Sequence, residues 1–190
     1  MNKIVKLGII LLIITSVAAG ILSFLNEKTK VIIAKQQEEA NNLARKEVLP
    51  NGKDFKELDK DKFNSAIEGT NLITEIYEGT DGSNVVGYTI KTTISGYSGP
   101  VVVMTGIGME GKLEGVKIVS NTETPGLGAN AATPEFQNQY KGKTTEENLA
   151  VVKVPPTGNQ IQALTGATIT TKAVTDSVNE AIVAYKNLSK

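Results

Sequence analysis

Four threonines lie within the segment Leu-Thr-Gly-Ala-Thr-Ile-Thr-Thr, residues 164–171 of the sequence. Threonine hydroxyls can donate hydrogen bonds to oxyanions, and the small residues Gly166 and Ala167 let another group come close to the backbone. An amphipathic segment follows directly, and the free N–H groups at the start of a helix carry a partial positive charge. The segment is therefore typical of a phosphate-binding corner. The alternative is that Thr170 or Thr171 only caps the helix.

A second unusual segment, Asn-Thr-Glu-Thr-Pro-Gly-Leu-Gly, occupies residues 121–128. Pro125 followed by Gly126 is a turn signal, and Gly128 allows a close approach to the backbone. Leu127 is then an apolar residue in a loop that we expect to be exposed, which is typical of a binding loop. The alternative is an ordinary connection in which the leucine is buried.

A glycine pattern of the dinucleotide-binding type, G-x-G-x-x-G, occurs at residues 106–111. The dinucleotide fingerprint requires a helix after the glycines, whereas residues 112–120 alternate like a strand. The pattern therefore predicts a hairpin turn at this point, and no nucleotide site.

The composition excludes several classes of site. The sequence contains no cysteine, histidine or tryptophan, which excludes disulfides, thiolate zinc sites, iron–sulfur clusters, histidine-ligated haem and Ser-His-Asp triads. The 20 Lys and Arg residues balance the 20 Asp and Glu residues, and Arg45 is the only arginine. This balance argues against a nucleic-acid partner. The spacing of the acidic residues predicts no metal site.

The elements that must position these segments follow from periodicity and turn signals. Strands are predicted over residues 85–94, 100–107, 112–120 and 149–154. Helices are predicted over residues 54–67, 134–140 and 171–188, with Thr133 as the cap of the second and Pro134 at its first position. Together they predict an α+β fold, an antiparallel sheet with flanking helices that lie on one side of it.

An uncharged apolar run, LGIILLIITSVAAGILSFL, occupies residues 7–25. At about 1.5 Å per residue it spans close to the ~30 Å of a hydrocarbon core, which favours an uncleaved transmembrane helix. The alternative is a cleaved signal peptide with its processing site at residues 17–19. The predicted organisation is a short tail (1–6), a transmembrane helix (7–25), a linker helix (26–50) and one further domain (51–190).

Taken together and in this order, the segments at 123–128 and 165–168 resemble the FMN-binding domain of redox-driven ion pumps. The resemblance extends to the membrane helix, to Gly-Tyr-Ser-Gly-Pro at 96–100 and to Gly-Lys-Leu-Glu-Gly-Val at 111–116. This family includes the G subunit of the Rnf complex, which the compactness of the chain favours. The longer C subunit of the sodium-pumping NADH:quinone reductase is a relative. The resemblance implies that residues 51–190 form an FMN-binding domain.

In this family the last threonine of the (Ser/Thr)-Gly-Ala-Thr motif carries FMN through a phosphoester bond, and it corresponds to Thr168. The resemblance also implies that Glu123 and Thr124 hydrogen-bond the flavin and that Leu127 covers one face of its ring. The family often has an aspartate where this sequence has Gln162. The complete set of implied cofactor-binding residues is Thr168, Thr165, Gly166, Ala167, Glu123, Thr124, Gly126, Leu127 and Gly128.

The resemblance implies an electron-transfer subunit of a membrane-bound, ion-translocating ferredoxin:NAD oxidoreductase, without a complete catalytic site of its own. A threonine hydroxyl is a poor nucleophile and no histidine can activate it, so we expect a separate flavin transferase to attach the FMN. The expected partners are the other subunits, this transferase and membrane lipid. The N-terminus is expected in the cytoplasm and the FMN domain on the outer face of the membrane.

Two other interpretations remain open from the sequence. One keeps the flavin but makes the chain a quinone-reductase subunit or a stand-alone extracellular flavoprotein. The other is a membrane-tethered binding module without a cofactor, in which both segments are only structural.

Overall fold

The computed structural model of the chain describes residues 2–189, and the chain divides into two compact units with their boundary between Asn41 and Asn42. The helices are α1 (Lys3–Val48), α2 (Lys60–Ala66), α3 (Pro134–Gln137) and α4 (Thr168–Leu188). The strands are β1 (Asp54–Glu57), β2 (Ile73–Thr80), β3 (Val85–Ser95), β4 (Pro100–Gly108), β5 (Leu113–Asn121), β6 (Ala150–Val152) and β7 (Gln160–Gln162).

Helix α1 is continuous over 46 residues and includes an 18-residue stretch that is long and apolar enough to cross a membrane. The predicted helical continuation beyond the apolar run is therefore confirmed. The helix ends at Val48, two residues before Pro50, because proline disfavours helical backbone in the residue before it.

Strands β1 to β5 form one antiparallel sheet in sequence order, which confirms the α+β fold. The three predicted strands of this sheet, β3, β4 and β5, agree with the structure to within one residue at each end. The glycine pattern at 106–111 lies in the hairpin between β4 and β5, where Gly106 pairs with Gly115. The hairpin prediction is thus confirmed.

One face of the sheet packs against α4 and forms the main core. From α4, Val174, Val178 and Ile182 are fully buried, and their spacing of four places them on one side of the helix. Within this core the hydroxyls of Tyr140 and Thr175 are joined by a buried hydrogen bond of 2.9 Å.

The opposite face of the sheet receives residues 44–49, the end of α1 and the residue after it. Four glycines from the four strands β2 to β5 lie beneath this segment, and we call the arrangement the helix-end seat: Gly79, Gly87, Gly106 and Gly115. A Cβ on Gly106 would collide with the carbonyl oxygen of Val48, so the close approach requires glycine. The end of α1, the tethering helix, therefore covers the face of the sheet opposite α4, a contact that the sequence pattern does not predict.

The helix-end seat holds Arg45, which is 1% exposed. Its guanidinium donates to Glu75 at 2.9 Å and to Asn42 Oδ1 at 2.8 Å, and it lies 3.6 Å from the ring centroid of Tyr77. Lys91 pairs with the same Glu75 at 2.7 Å. The buried cation is thus matched by a carboxylate and an aromatic face, as burial of a charge requires.

Three local predictions are corrected by the structure. Residues 54–67 are not one helix: β1 pairs with β2 along the edge of the sheet, and only Lys60–Ala66 is helical. Thr133 occupies the cap position of α3, but its hydroxyl donates to the carbonyl oxygen of Asn130 instead of capping the helix. The short strand β6 pairs in parallel with β7, a strand that the sequence pattern does not reveal.

Candidate functional site

A cavity of about 380 Å³ opens at the amino-terminal end of α4, and we call it the α4 cavity. It lies between the turn that joins β3 to β4, the loop that follows β5, and the first turn of α4. The two segments that stand out in the sequence therefore meet at one place, although about forty residues separate them. The lining residues are Tyr97, Glu123, Thr124, Leu127, Gly128, Gly166, Ala167, Thr168, Ile169 and Thr170.

Seven of the nine residues implied by the resemblance line the α4 cavity, and two do not. Thr165 lines a neighbouring cavity of about 410 Å³, together with Gln162. Gly126 lines neither cavity; it is an exposed turn residue with φ +79°, a conformation that favours glycine. Gly126 therefore serves to form the turn of this loop.

Three lining residues are not among the nine implied by the resemblance: Tyr97, Ile169 and Thr170. Of these, Thr170 is one of the four threonines of the predicted phosphate-binding corner. Tyr97 belongs to the Gly-Tyr-Ser-Gly-Pro turn, which enters the sequence argument only as part of the resemblance. Ile169 and Thr170 line the cavity because α4 begins at Thr168, three residues earlier than predicted. The β-branched residues in this stretch give no helical signal of their own.

The four threonine hydroxyls of the segment differ in their partners. Thr170 donates to Glu123 Oε2 at 2.8 Å, and Thr171 donates to the carbonyl oxygen of Ala167 at 3.0 Å. Within residues 2–189 the hydroxyls of Thr165 and Thr168 make no hydrogen bond, and of these two only Thr168 lines the α4 cavity. The helix cap is Ala167, so the interpretation that Thr170 or Thr171 caps α4 is wrong.

Glu123 is the charged residue of the cavity wall and is 6% exposed. Its Oε1 accepts hydrogen bonds from the backbone N–H groups of Tyr97 at 2.7 Å and Ser98 at 3.1 Å, and its Oε2 accepts the bond from Thr170. The carboxylate therefore joins all three segments that form the cavity. Each of these charge-assisted bonds is stronger than a bond between neutral groups.

The rest of the wall is apolar and open. Tyr97 is 70% exposed, Ile169 55% and Leu127 45%, so three large apolar side chains surround the opening without a covering partner among the described residues. Gly166 has φ +74°, and a Cβ on it would lie 3.1 Å from Leu127 Cδ2. Apolar walls with a few convergent polar groups are typical of small-molecule sites, whose volumes run from roughly 300 to 1,000 Å³.

The polar end of the cavity is the start of α4. The first N–H groups of a helix have no intrahelical acceptor and carry about half a positive charge together, which favours an anion at this end. Thr168, the first residue of α4, places its hydroxyl at the same end. No lysine or arginine is among the lining residues. Residues 2–189 also hold no cluster of three acidic side chains suited to a metal ion.

Comparison with known proteins decides the family. Residues 96–183 match the FMN-binding domain family. The G subunit of the Na⁺-translocating ferredoxin:NAD⁺ oxidoreductase complex of Acetobacterium woodii is 44% identical, over 97% of this chain and 93% of that protein.

The chain belongs to the family of G subunits of ion-translocating oxidoreductase complexes. A second member, the G subunit of the ion-translocating oxidoreductase complex of Methanosarcina acetivorans, is 31% identical over 95% of this chain and 94% of that protein. Among solved structures, the C subunit of the Na⁺-translocating NADH-quinone reductase of Parabacteroides distasonis has the same fold. Its TM-score is 0.53 at 19% identity, over 82% of this chain and 95% of that one.

The α4 cavity fits the cofactor for which the domain family is named. A helix start suits a phosphate, the Thr168 hydroxyl is free of other partners, and the open apolar side chains suit a flat aromatic ring system. A Cβ at residue 166 would lie 3.1 Å from Leu127 Cδ2, so a side chain there would displace the side chain of Leu127.

Proposed function

We propose that this chain is the electron-transferring subunit of an ion-translocating ferredoxin:NAD oxidoreductase complex, and that it holds FMN covalently through a phosphoester to Thr168. The membership of the G-subunit family supports the first part of the proposal. The observation that carries the second part is the Thr168 hydroxyl, which lines the α4 cavity at a helix start and is not used in any bond within residues 2–189.

The other threonines of the segment are poorer acceptors. Thr170 is 1% exposed and Thr171 is fully buried, and both hydroxyls are hydrogen-bonded. Thr165 is exposed but lies on the neighbouring cavity, away from the first N–H groups of α4. A phosphate attached at Thr168 gains those N–H groups as donors.

Attachment requires a second enzyme. A threonine hydroxyl needs a base to act as a nucleophile, and the lining residues offer only Glu123, whose oxygens are engaged by three donors. We propose that a flavin transferase supplies the base and takes the FMN unit from FAD. The Thr168 oxygen then forms the new bond to phosphorus, the pyrophosphate bond of FAD breaks, AMP leaves, and the hydroxyl proton passes to the transferase.

Different residues of the cavity hold different parts of the cofactor. Thr168 and the first N–H groups of α4 hold the phosphate, and the apolar side chains of Tyr97, Leu127 and Ile169 exclude water from the ring. Gly128 gives room to the Glu123 carboxylate, and Gly166 to the side chain of Leu127. Bound FMN supplies the one-electron and two-electron redox chemistry that the side chains of this chain lack. Thr124 and Gly126 shape the loop that carries Leu127.

The apolar stretch of α1 anchors the chain in the membrane in this proposal, with the FMN domain on the outer face. The partners are the other subunits of the complex, the transferase during maturation, and lipid around residues 7–25. A covalent bond suits a cofactor held outside the cytoplasm, where lost FMN is not readily replaced.

The direct test is covalent flavin in the full chain, produced together with a flavin transferase of the matching host. A fluorescent band should survive boiling and denaturing electrophoresis, and intact mass should exceed that of the polypeptide by one FMN unit. The band should disappear in Thr168→Ala and persist in the matched control Thr165→Ala. Wild-type protein of unmodified mass under these conditions, or undiminished fluorescence in Thr168→Ala, would overturn the assignment.

A further inference from the structure

The carboxylate of Glu123 is bonded only to the chain itself in the α4 cavity. Two of its three hydrogen bonds go to the turn between β3 and β4, at Tyr97 and Ser98, and the third goes to Thr170 on α4. The loop that carries Glu123 is thereby tied to both neighbouring segments. We call this set of three bonds the Glu123 clamp.

Two glycines make the room that the clamp needs. A Cβ on Gly96 would collide with Glu123 Oε1, and a Cβ on Gly128 would collide with Oε2 and would lie 2.6 Å from Thr170 Oγ1. Neither glycine has a positive φ that would by itself require glycine. The close packing around the carboxylate explains why both positions are occupied by glycine.

Helix α4 lacks the usual support at its start. Its cap residue is Ala167, which has no side-chain acceptor for the first N–H groups. A helix start without a cap frays readily, because those groups gain nothing from helical backbone. Two side chains of the first turn bond to residues outside the helix: Thr171 Oγ1 accepts from the backbone N–H of Leu164 at 3.1 Å, and Thr170 donates to Glu123. Of these two bonds, only the one from Thr170 reaches the loop after β5.

We propose that Glu123 is a positioning residue for covalent attachment of the cofactor. By holding Thr170, it fixes the rotation of the first turn of α4. Since Thr168 lies two residues before Thr170 on the same turn, the clamp thereby aims the Thr168 hydroxyl into the α4 cavity. This inference rests on the proposed function, and assigns to Glu123 and Thr170 a role in presenting the acceptor hydroxyl to the transferase.

The test compares rates of covalent flavin formation in the full chain with FAD and a flavin transferase. Thr170→Val removes the hydroxyl at nearly constant volume and should slow attachment about tenfold, the expected loss for one hydrogen bond to a carboxylate. Glu123→Met should slow attachment at least as much, because it removes the acceptor of all three hydrogen bonds at similar volume. Thr170→Ser keeps the hydroxyl and should restore a rate close to that of the wild type.

The matched control is Thr175→Val, which removes another buried hydroxyl of α4, one that is bonded to Tyr140 in the core and is outside the cavity. It should lower stability while leaving the attachment rate near that of the wild type. A loss of attachment as large as that in Thr170→Val would mean that general destabilisation, and not positioning, limits the reaction.

A second readout needs no cofactor. In the unmodified full chain, hydrogen exchange of the bonded backbone N–H groups of Tyr97, Ser98 and Thr171 should be faster in Glu123→Met than in the wild type. Wild-type attachment rates and wild-type exchange in Thr170→Val would overturn the clamp and leave the proposed function intact. Failure of the wild type itself to accept flavin would instead overturn the proposed function, and this inference with it.

Discussion

The α4 cavity and the helix-end seat both depend on glycine, but the glycines serve different purposes in the two regions. In the seat, Gly106 and Gly115 let the backbone at Val48 lie directly on the sheet, and Val48 and Leu49 are almost completely buried. In the cavity, the glycines make room for a carboxylate, while the large apolar side chains around it remain about half exposed or more.

This difference separates a region that packs the end of α1 against the sheet from a region that we propose binds a ligand. In the seat, a carboxylate and an aromatic ring match the Arg45 cation, and Val48 and Leu49 are almost completely buried against the sheet. The cavity satisfies its own charge through the Glu123 clamp but leaves apolar surface and one helix start open. Apolar surface that a fold does not bury is a mark of a binding site, because exposing it lowers the stability of the free protein.

The largest effect is expected from filling the helix-end seat. Gly106→Ala should lower the free energy of unfolding by about 3 kcal/mol, because the new Cβ must displace the backbone of Val48. Chemical denaturation of the full chain in detergent measures the loss. The control is Gly108→Ala on the same strand, whose Cβ would meet only the movable end of Glu114 at 3.0 Å. Equal stability of the two variants would show that the seat is not closely packed.

A smaller loss is expected from removing the buried cation of the seat. Arg45→Met should destabilise the chain by about 2 kcal/mol, since Tyr77 loses the cation over its ring while Glu75 keeps Lys91 as a partner. The control is Lys112→Met, which breaks an exposed pair with Glu110 and should leave the denaturation midpoint unchanged. If Arg45→Met is as stable as the wild type, the network does not hold α1 to the sheet.

The smallest effect on stability is expected at the cavity wall. Ile169→Ser should change the free energy of unfolding by less than about 0.5 kcal/mol, because this side chain is 55% exposed. The same variant should let iodide quench the fluorescence of attached flavin more strongly than in the wild type. Met109→Ser, at a residue that is 51% exposed and does not line the cavity, should leave quenching unchanged. Unchanged quenching in Ile169→Ser would remove this residue from the flavin wall.

Much of the sheet can be predicted because three of its five strands carry their own signal. Strands β3, β4 and β5 are rich in β-branched residues and are bounded by glycines, so local pattern and tertiary structure agree. The edge strand β1, Asp-Phe-Lys-Glu, has no such pattern, and the sequence predicts helix there. It forms a strand because its backbone pairs with that of β2. This pairing depends on residues elsewhere in the chain and cannot be read from a four-residue segment.

The start of α4 is misplaced from sequence for a similar reason. Local propensity predicts that the helix begins at Thr171, since Thr168 to Thr170 are β-branched residues with no helical preference. The structure extends the helix to Thr168, and the bond from Thr170 to Glu123 ties down the added turn. This earlier start places Ile169 and Thr170 on the cavity.

The sequence by itself determined the chemistry available to this protein. The lack of cysteine and histidine, the threonine-rich segment and the apolar run at 7–25 are properties of residue type and order, and they hold whatever the fold. Only the tertiary structure decided that Thr168 and Thr170 line the cavity while Thr165 and Thr171 do not, and that Glu123 is bonded to the first turn of α4. The physical reason is distance along the chain: Glu123 and Thr170 are 47 residues apart, and a hydrogen bond between them exists only once the sheet and α4 have packed.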